Sequence, residues 1–583
     1  MATSRRLAKL GAYLLPHWRE ATLGVIALLT VNGLGVYIPL LIRSAVDKLS
    51  IQFTMSQVVH YVIPIALLTS AMWLIRMASR IWLFGIGRQV EFDLKQTIFE
   101  HLLTLEPAYF ATNTAGDLIS RATSDVDNIR RLLGFAMLSL ANTVFAYMLT
   151  LPVMLSISMD LTLASLAIYP LMFMLVHLYS DKLRNQQAKV QQKLSDISEL
   201  IQEDISGISL IKIYAQEENE RHAFAQKNKN VLTANLKLAT SRNTLFPLIG
   251  GLASVSTLII IWLGASRIAA GSLTVGNFVT LLIYVERLVF PTALLGFTIT
   301  AYQRGEVSID RIEAILSTKP KIANLPDAIH LPIEQLKGKI QARLFSFSYP
   351  GSKTPALDDI SFTIEAGENV AIVGAIGSGK TTLANSLPRL LDIAPGQLFL
   401  DGVDITKITL EDLRSAIAYV PQESFLFSTT VKNNIRYSDP LAEYQEVEDA
   451  AKIAQIHPEI INFPDRYETI VGERGITLSG GQRQRTALAR AMLVDAPVLI
   501  LDDALSSVDN QTATAILNNL SGGTRKKTVI FITHQLSAAA ACDRIFVMDK
   551  GQIVQIGTHR ELLQQGGLYR TLWSQHQVEE LLK

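Results

Sequence analysis

A single cysteine among 583 residues, Cys542, excludes a disulfide within the chain. It falls in the soluble half and reads as a small buried apolar side chain. An excess of charge is missing as well. The 53 Lys and Arg meet 52 Asp and Glu, a net charge of +1, without the basic footprint that nucleic-acid binding leaves. A cleaved leader is not evident either, because the apolar stretch in MATSRRLAKLGAYLLPHWRE is short and broken by Pro16 and by charge. That segment reads instead as an amphipathic helix on a membrane surface. No internal repeat is visible. What the chain has in excess is apolar: 49% hydrophobic residues, only 18% charged, and a mean hydropathy of +0.27, more than a soluble surface tolerates. The excess is therefore local.

It lies in six uncharged or nearly uncharged runs: Ala21 to Ile42, Val58 to Ile86, Leu132 to Ser156, Leu161 to Ser180, Asn243 to Ser266 and Val275 to Tyr302. Each is long enough to cross about 30 Å of hydrocarbon as a helix. Buried helices of a large soluble protein would account for one or two such runs, not six. Arg5, Arg6, Lys9 and Arg19 precede the first run, and segments 87 to 131 and 181 to 242 are rich in Lys and Arg, whereas the alternate connections are short and nearly uncharged. The positive-inside rule then predicts that both termini and both long loops are cytosolic. Those loops keep helical periodicity, so the spans are expected to continue as helices beyond the lipid.

Pro320, Pro326 and Pro332 mark a change of composition. Beyond it, short β-branched strands alternate with helices, the pattern of a largely parallel α/β sheet. The expected organisation is an all-α six-span membrane domain (1–317), a linker (318–337) and an α/β phosphate-loop domain (338–583).

In that second domain, the run Gly374-Ala-Ile-Gly377-Ser378-Gly379-Lys380-Thr381, followed by Thr382, stands between the strand ENVAIV and the helix TTLANSLPRLL. Glycines there let backbone N–H groups wrap phosphates at a helix start. Lys380 is placed to reach the β- and γ-phosphates, and Thr381 to ligate Mg²⁺. Downstream, PVLILDDA ends an apolar strand in acid, and Asp502 is the expected second Mg²⁺ ligand. LSGGQRQRTALARAM opens another helix on Ser479, Gly480, Gly481 and Gln482. A plain cap at Ser479 would not need two glycines, so this start reads as a second anion site, offered to the nucleotide of a partner copy.

Together these residues resemble ABC transporters of the exporter type over nearly the whole chain. The likeness implies ATP as substrate and Mg²⁺ as cofactor. LSGGQ at 478–482 is similar to the family signature, and Tyr349 to the aromatic that stacks on adenine. Gln422 resembles the glutamine that helps position Mg²⁺ and attacking water. Glu473 in VGERG is similar to the loop that senses the cytosolic helices. SSVD, ending in Asp509, resembles the loop that crosses the dimer interface, and His534 the switch histidine on the γ-phosphate. GDLISRATSDVDNI (116–129) and SGISLIKIYAQEE (206–218) are similar to coupling-helix regions.

One departure concerns catalysis. Where the family usually has glutamate as the base for water, this chain has Asp503, one methylene shorter. An error of about 1 Å in a catalytic group can cost roughly a hundredfold in rate. The resemblance implies a pairing with a second half that carries glutamate, and a heterodimer is favoured over a homodimer. The implied function is ATP-driven export of amphipathic or hydrophobic solutes, drug-like compounds or lipids, across a bacterial cytoplasmic membrane by alternating access. A lipid- or peptide-specific exporter or flippase, and an ATP-gated channel or regulator, are the alternatives. Glu286 and Arg287 in the sixth run, and Arg76 and Arg80 in the second, bear either on substrate or on one another. Trp73, Phe145, Met172, Phe173, Met174 and Phe297 are candidates to line an apolar cavity, against the plain reading of lipid-facing or packing residues.

Overall fold

The computed structural model describes residues 11–49, 54–508, 512–513, 515–516 and 526–582. The N-terminal residues 1–10 and Asp509, both singled out from the sequence, lie outside them. The chain forms two compact units. One holds residues up to Thr104 together with Asn113–Thr318, and the other holds Leu105–Thr112 and everything from Lys319 onward.

The first unit is all helical. Six helices are long and apolar enough to cross a membrane, and each contains one of the six runs found in the sequence. They outrun the lipid, as the periodicity of the loops predicts. Glu217–Ala269 alone has 53 residues, about 80 Å at 1.5 Å per residue and more than twice a hydrocarbon core. The turn between the second and third spans is the short helix Pro107–Thr112. This corrects the placing of the first coupling region at 116–129: Thr114 caps a new helix at Ala115, and those residues already belong to the third long helix. Its acids are fastened inward instead. Asp117 pairs with Arg311 at 2.8 Å, and Asp125 accepts from the Ser308 hydroxyl at 2.8 Å, tying this segment to the sixth helix, Val275–Leu316. The second turn helix, Ile208–Ile213, does fall within the expected 206–218.

Where the bundle is apolar, the backbone is latched by buried side-chain donors. The Tyr169 hydroxyl donates to Val285 O at 2.6 Å, and that of Tyr284 to Val36 O at 2.7 Å. Such bonds hold helices together where hydrophobicity gives no preference for protein over lipid.

The second unit is α/β. Its core sheet has the order β10-β9-β3-β8-β7-β6, from Gln552–Gly557, Arg544–Asp549, Asn369–Gly374, Thr528–Ile532, Val498–Asp502 and Ile417–Val420. All neighbours are parallel except the edge strand β10. The sequence predicts this sheet. It does not predict a second, antiparallel one, β2-β1-β4-β5, built from Leu357–Ile364, Ile340–Phe347, Leu398–Leu400 and Val403–Asp404. Residues 319–337 are no free tether: Ile329 N donates to Lys407 O, Leu331 N to the Asp412 carboxylate, and Leu336 is buried.

Candidate functional site

β3 and β7 are two strands apart with β8 between them, so their C-terminal ends open on one side of the sheet. The glycine loop leaves β3 and turns into the helix Lys380–Ser386. Gly379 has φ +98°, and a Cβ there would stand 2.6 Å from Ala356 O, so only glycine allows the loop to close. A cavity of about 980 Å³ lies over this edge, bounded by Tyr349, Gly377, Gly379, Lys380, Thr381, Thr382, Gln422, Asp502, Asp503 and His534. These sequence-predicted residues converge there from five separate segments.

Their contacts are specific. The Lys380 ammonium is folded against its own loop, donating to Gly374 O at 2.9 Å and Ala375 O at 2.8 Å. Burial lowers its pKa, against the pull of Asp502 and Asp503. Ser378 is buried beneath the loop and accepts from the same ammonium at 3.4 Å. The Thr381 hydroxyl donates to Asp502 Oδ1 at 3.2 Å, so the two expected cation ligands are already side by side. Asp502 is almost wholly buried, and desolvation raises its pKa against hydrogen bonds from Thr381 and Tyr419. No cluster of three or more His, Cys, Asp or Glu side chains suited to a metal occurs among the described residues. A hard cation at Thr381 and Asp502 would therefore complete its shell from phosphate and water oxygens.

Asp503 sits beyond β7 with φ +49°, a left-handed conformation that Asp tolerates better than most residues. Its amide donates to Ile532 O at 2.9 Å, and its Oδ1 is buried with no hydrogen-bond partner. Burial raises its pKa, while nearby His534, Lys380 and Gln422 draw it down. The Tyr349 hydroxyl lies 3.2 Å from Thr382 Oγ1, with its ring edge-on to Phe347 and one face open.

The signature segment lies elsewhere. Ser479 caps the helix Gly480–Leu493: its Oγ accepts from Gln482 N at 3.2 Å, and Gln482 Oε1 accepts from Ser479 N at 2.9 Å. The sequence argument against a simple cap is thus half corrected, since the cap is real. Gly481 has a separate cause. A Cβ there would meet Ser507 O at 2.8 Å, so the glycine admits the segment that leads toward Asp509. None of residues 478–482 borders the cavity over Lys380.

Comparison with known proteins agrees with this geometry. Residues 22–292 match the ABC transporter transmembrane region, and residues 357–506 match the ABC transporter domain. The chain is 34% identical over 574 residues to the probable multidrug resistance ABC transporter ATP-binding/permease protein YheI of Bacillus subtilis (strain 168), covering 98% of each. It is 33% identical over 581 residues to the multidrug resistance-like ATP-binding protein MdlA of Escherichia coli (strain K12), covering 99% of this chain and 98% of that one. A solved structure of a bacterial Atm1-family ABC exporter with ATP bound superposes with a TM-score of 0.78 at 25% identity, covering 96% of this chain and 99% of the other. The chain belongs to the ABC transporter family.

As an ABC exporter it is a multi-pass inner-membrane protein that binds and hydrolyses ATP to drive export, and exporters of this family act as dimers. Several site residues escape sequence reasoning. The Tyr419 hydroxyl donates to Asn385 Oδ1 at 2.9 Å and to Asp502 Oδ2 at 3.3 Å, holding the Mg²⁺-side carboxylate. Gln484 bridges the signature helix to Ser506 and Ser507, with both bonds at 2.9 Å. Gln484 lies within the LSGGQRQRTALARAM run and Tyr419 three residues before Gln422, yet neither pattern signals the distant partner that each side chain holds. Cys542 is half-buried against two apolar clusters, and burial pushes its thiol up to about 12, which makes it inert as expected.

In the membrane unit, Glu286 and Arg287 do not satisfy one another. Glu286 is exposed, whereas Arg287 lies across Gly35 and donates to Asn32 O at 3.1 Å and Asn32 Oδ1 at 3.2 Å. Among the described residues Arg76 has only the Met72 sulfur as partner, at 3.7 Å. Of the six apolar candidates for a cavity wall, Phe297 alone borders a cavity of about 1150 Å³ in this unit, while Met172 is core and Trp73 and Met174 are exposed.

Proposed function

We propose that this chain is one half of an exporter for amphipathic solutes, and that it works paired with a different half carrying glutamate at the position of Asp503. The observation that carries the proposal is the division of the nucleotide machinery. The phosphate loop and its acids share one cavity, and the capped signature helix offers its free N–H groups away from it.

In this reading ATP lies between the two halves, its base on Tyr349 and its phosphates in the loop 374–382. Ser479, Gly480, Gly481 and Gln482 of this chain cover the nucleotide of the partner. Thr381 and Asp502, with Gln422 beside them, would hold Mg²⁺, which would supply charge neutralisation at the transferred phosphoryl group. Asp503 accepts the proton of attacking water, and His534 orients the γ-phosphate. The termini and the nucleotide-binding domain are cytosolic. The names of the curated relatives, which speak of multidrug resistance, support a broad amphipathic substrate range.

The test is accumulation of a labelled amphiphile in inside-out membrane vesicles. Uphill, ATP-dependent uptake upholds export, and ion current without uphill uptake overturns it. Affinity purification of the tagged chain from its own membranes is expected to bring down a second half-transporter. Recovery of this chain alone as an active dimer contradicts the heterodimer.

A further inference from the structure

A cavity of about 1150 Å³ in the membrane unit is bordered by residues of the third, fourth, fifth and sixth long helices. Its lining is chemically lopsided. Five arginines border it, namely Arg130, Arg131, Arg184, Arg242 and Arg304, and no Asp or Glu does. Three of them are already ion-paired: Arg130 with Asp127 at 2.5 Å and Glu91 at 3.3 Å, Arg131 with Asp127 at 2.7 Å, and Arg184 with Asp181 at 3.0 Å. Arg242 and Arg304 are different. They come from two separate helices, the fifth and the sixth, and neither has an ion pair or hydrogen bond to any other described residue. Between the charges the wall is apolar, with Phe135, Phe246 and Phe297 among its side chains. One polar side chain beside them, Ser180, has a buried hydroxyl without a partner.

A cleft lined by a single sign of charge raises the local concentration of the opposite ion. Guanidinium is the side chain best matched to planar or tetrahedral oxyanions, which it binds through two parallel N–H donors. Aromatic walls beside it bury the apolar body of the same molecule. Two arginines without an ion-pair partner among the described residues, facing a partly aromatic hollow, are thus complementary to a molecule with an anionic head and a hydrophobic body.

Resting on the reading of this chain as an exporter, we infer that this cavity is the entry site for its substrate, and that the substrate class is an anionic amphiphile whose phosphate, sulfonate or carboxylate head is held by Arg242 and Arg304. The same chemistry is met by a lipid head group and by a free organic anion.

The test uses the assembled dimer in phosphatidylcholine nanodiscs, with anilinonaphthalene sulfonate as an anionic fluorescent probe. The Arg242→Gln/Arg304→Gln double variant is expected to bind it at least tenfold more weakly, since each charge-assisted bond lost is worth about a factor of ten. Arg242→Lys/Arg304→Lys is expected to recover part of the affinity, which separates lost charge from lost folding. Displacement of the probe by phosphatidic acid assigns the site to lipid heads. Displacement by naphthalene sulfonate but not by phosphatidic acid assigns it to free anions. Either result upholds the inference. Equal probe affinity in wild type and the Gln variant, or equal displacement by dodecyltrimethylammonium, overturns it. Vesicle uptake keeps the two claims apart: ATP-driven uptake of the cationic amphiphile alone overturns the inference and leaves the exporter, whereas no uptake of either sign overturns the exporter.

Discussion

Two helices of the nucleotide-binding domain start on glycine and differ in what surrounds those starts. The one at Lys380 is enclosed: Asp502, Asp503, Gln422 and His534 converge over it, and its lysine is bonded to its own loop. The one at Ser479 is capped and braced from behind, by Glu459 on Gln482 at 2.8 Å and by Gln484 on Ser506 and Ser507. No acid or base faces its N–H groups as part of that cavity. In the proposed function the first is the site that does chemistry, and the second is the site that completes another. A helix N-terminus attracts phosphate in both places, and the neighbours decide what happens to it.

The comparison is broken most directly at Ser479. Replacing it with Arg puts bulk and charge where the partner's nucleotide must dock, and steady-state ATP turnover of the dimer is expected to fall about a hundredfold, the scale of losing a phosphate-stabilising donor. Full turnover in that variant contradicts the shared site. Asp503→Glu is expected to act in the opposite direction, raising turnover roughly tenfold by restoring the reach of the carboxylate. Unchanged turnover removes the short side chain as the cause.

Lys380→Ala then separates the two kinds of dimer. With a competent partner site it lowers steady-state turnover by less than about tenfold, while nucleotide binding at this chain's own loop is lost. In a homodimer both sites lose the lysine and turnover collapses.

The pH profile is a smaller lever. Asp503 must be ionised to take a proton, and burial holds its pKa above that of a solvated aspartate. As pH falls from neutral, turnover at this site is therefore expected to decline earlier than an ordinary carboxylate would allow. A decline confined to the solvated range contradicts the buried environment. The smallest effect is structural. Gln484→Ala removes two hydrogen bonds of a buried side chain and is expected to destabilise the domain by about 1–2 kcal/mol, read from its denaturation midpoint.

Much of this was legible in residues that constrain their own surroundings. A run of apolar residues long enough for a bilayer declares itself, because lipid admits no unsatisfied backbone. A glycine loop between a strand and a helix does so too, because few other sequences make that turn. The second, antiparallel sheet was not legible, because its strands are short and pair across distant segments: Ile340 stands opposite Ile364 on one side and Leu400 on the other. The placing of the first coupling region failed for a similar reason. The polar stretch 116–129 has the composition of a loop, yet its carboxylates are taken up by Arg311 and Ser308, about 190 residues later.

By itself, then, the sequence determined six spans and the order of the two units, since each of these follows from local composition and spacing. Only the tertiary structure decided that Arg287 turns to Asn32 rather than to Glu286, that Tyr419 holds Asp502, and that Arg242 and Arg304 face one cavity without a carboxylate. Those facts depend on which distant side chains come within hydrogen-bond reach, and no local pattern encodes that distance.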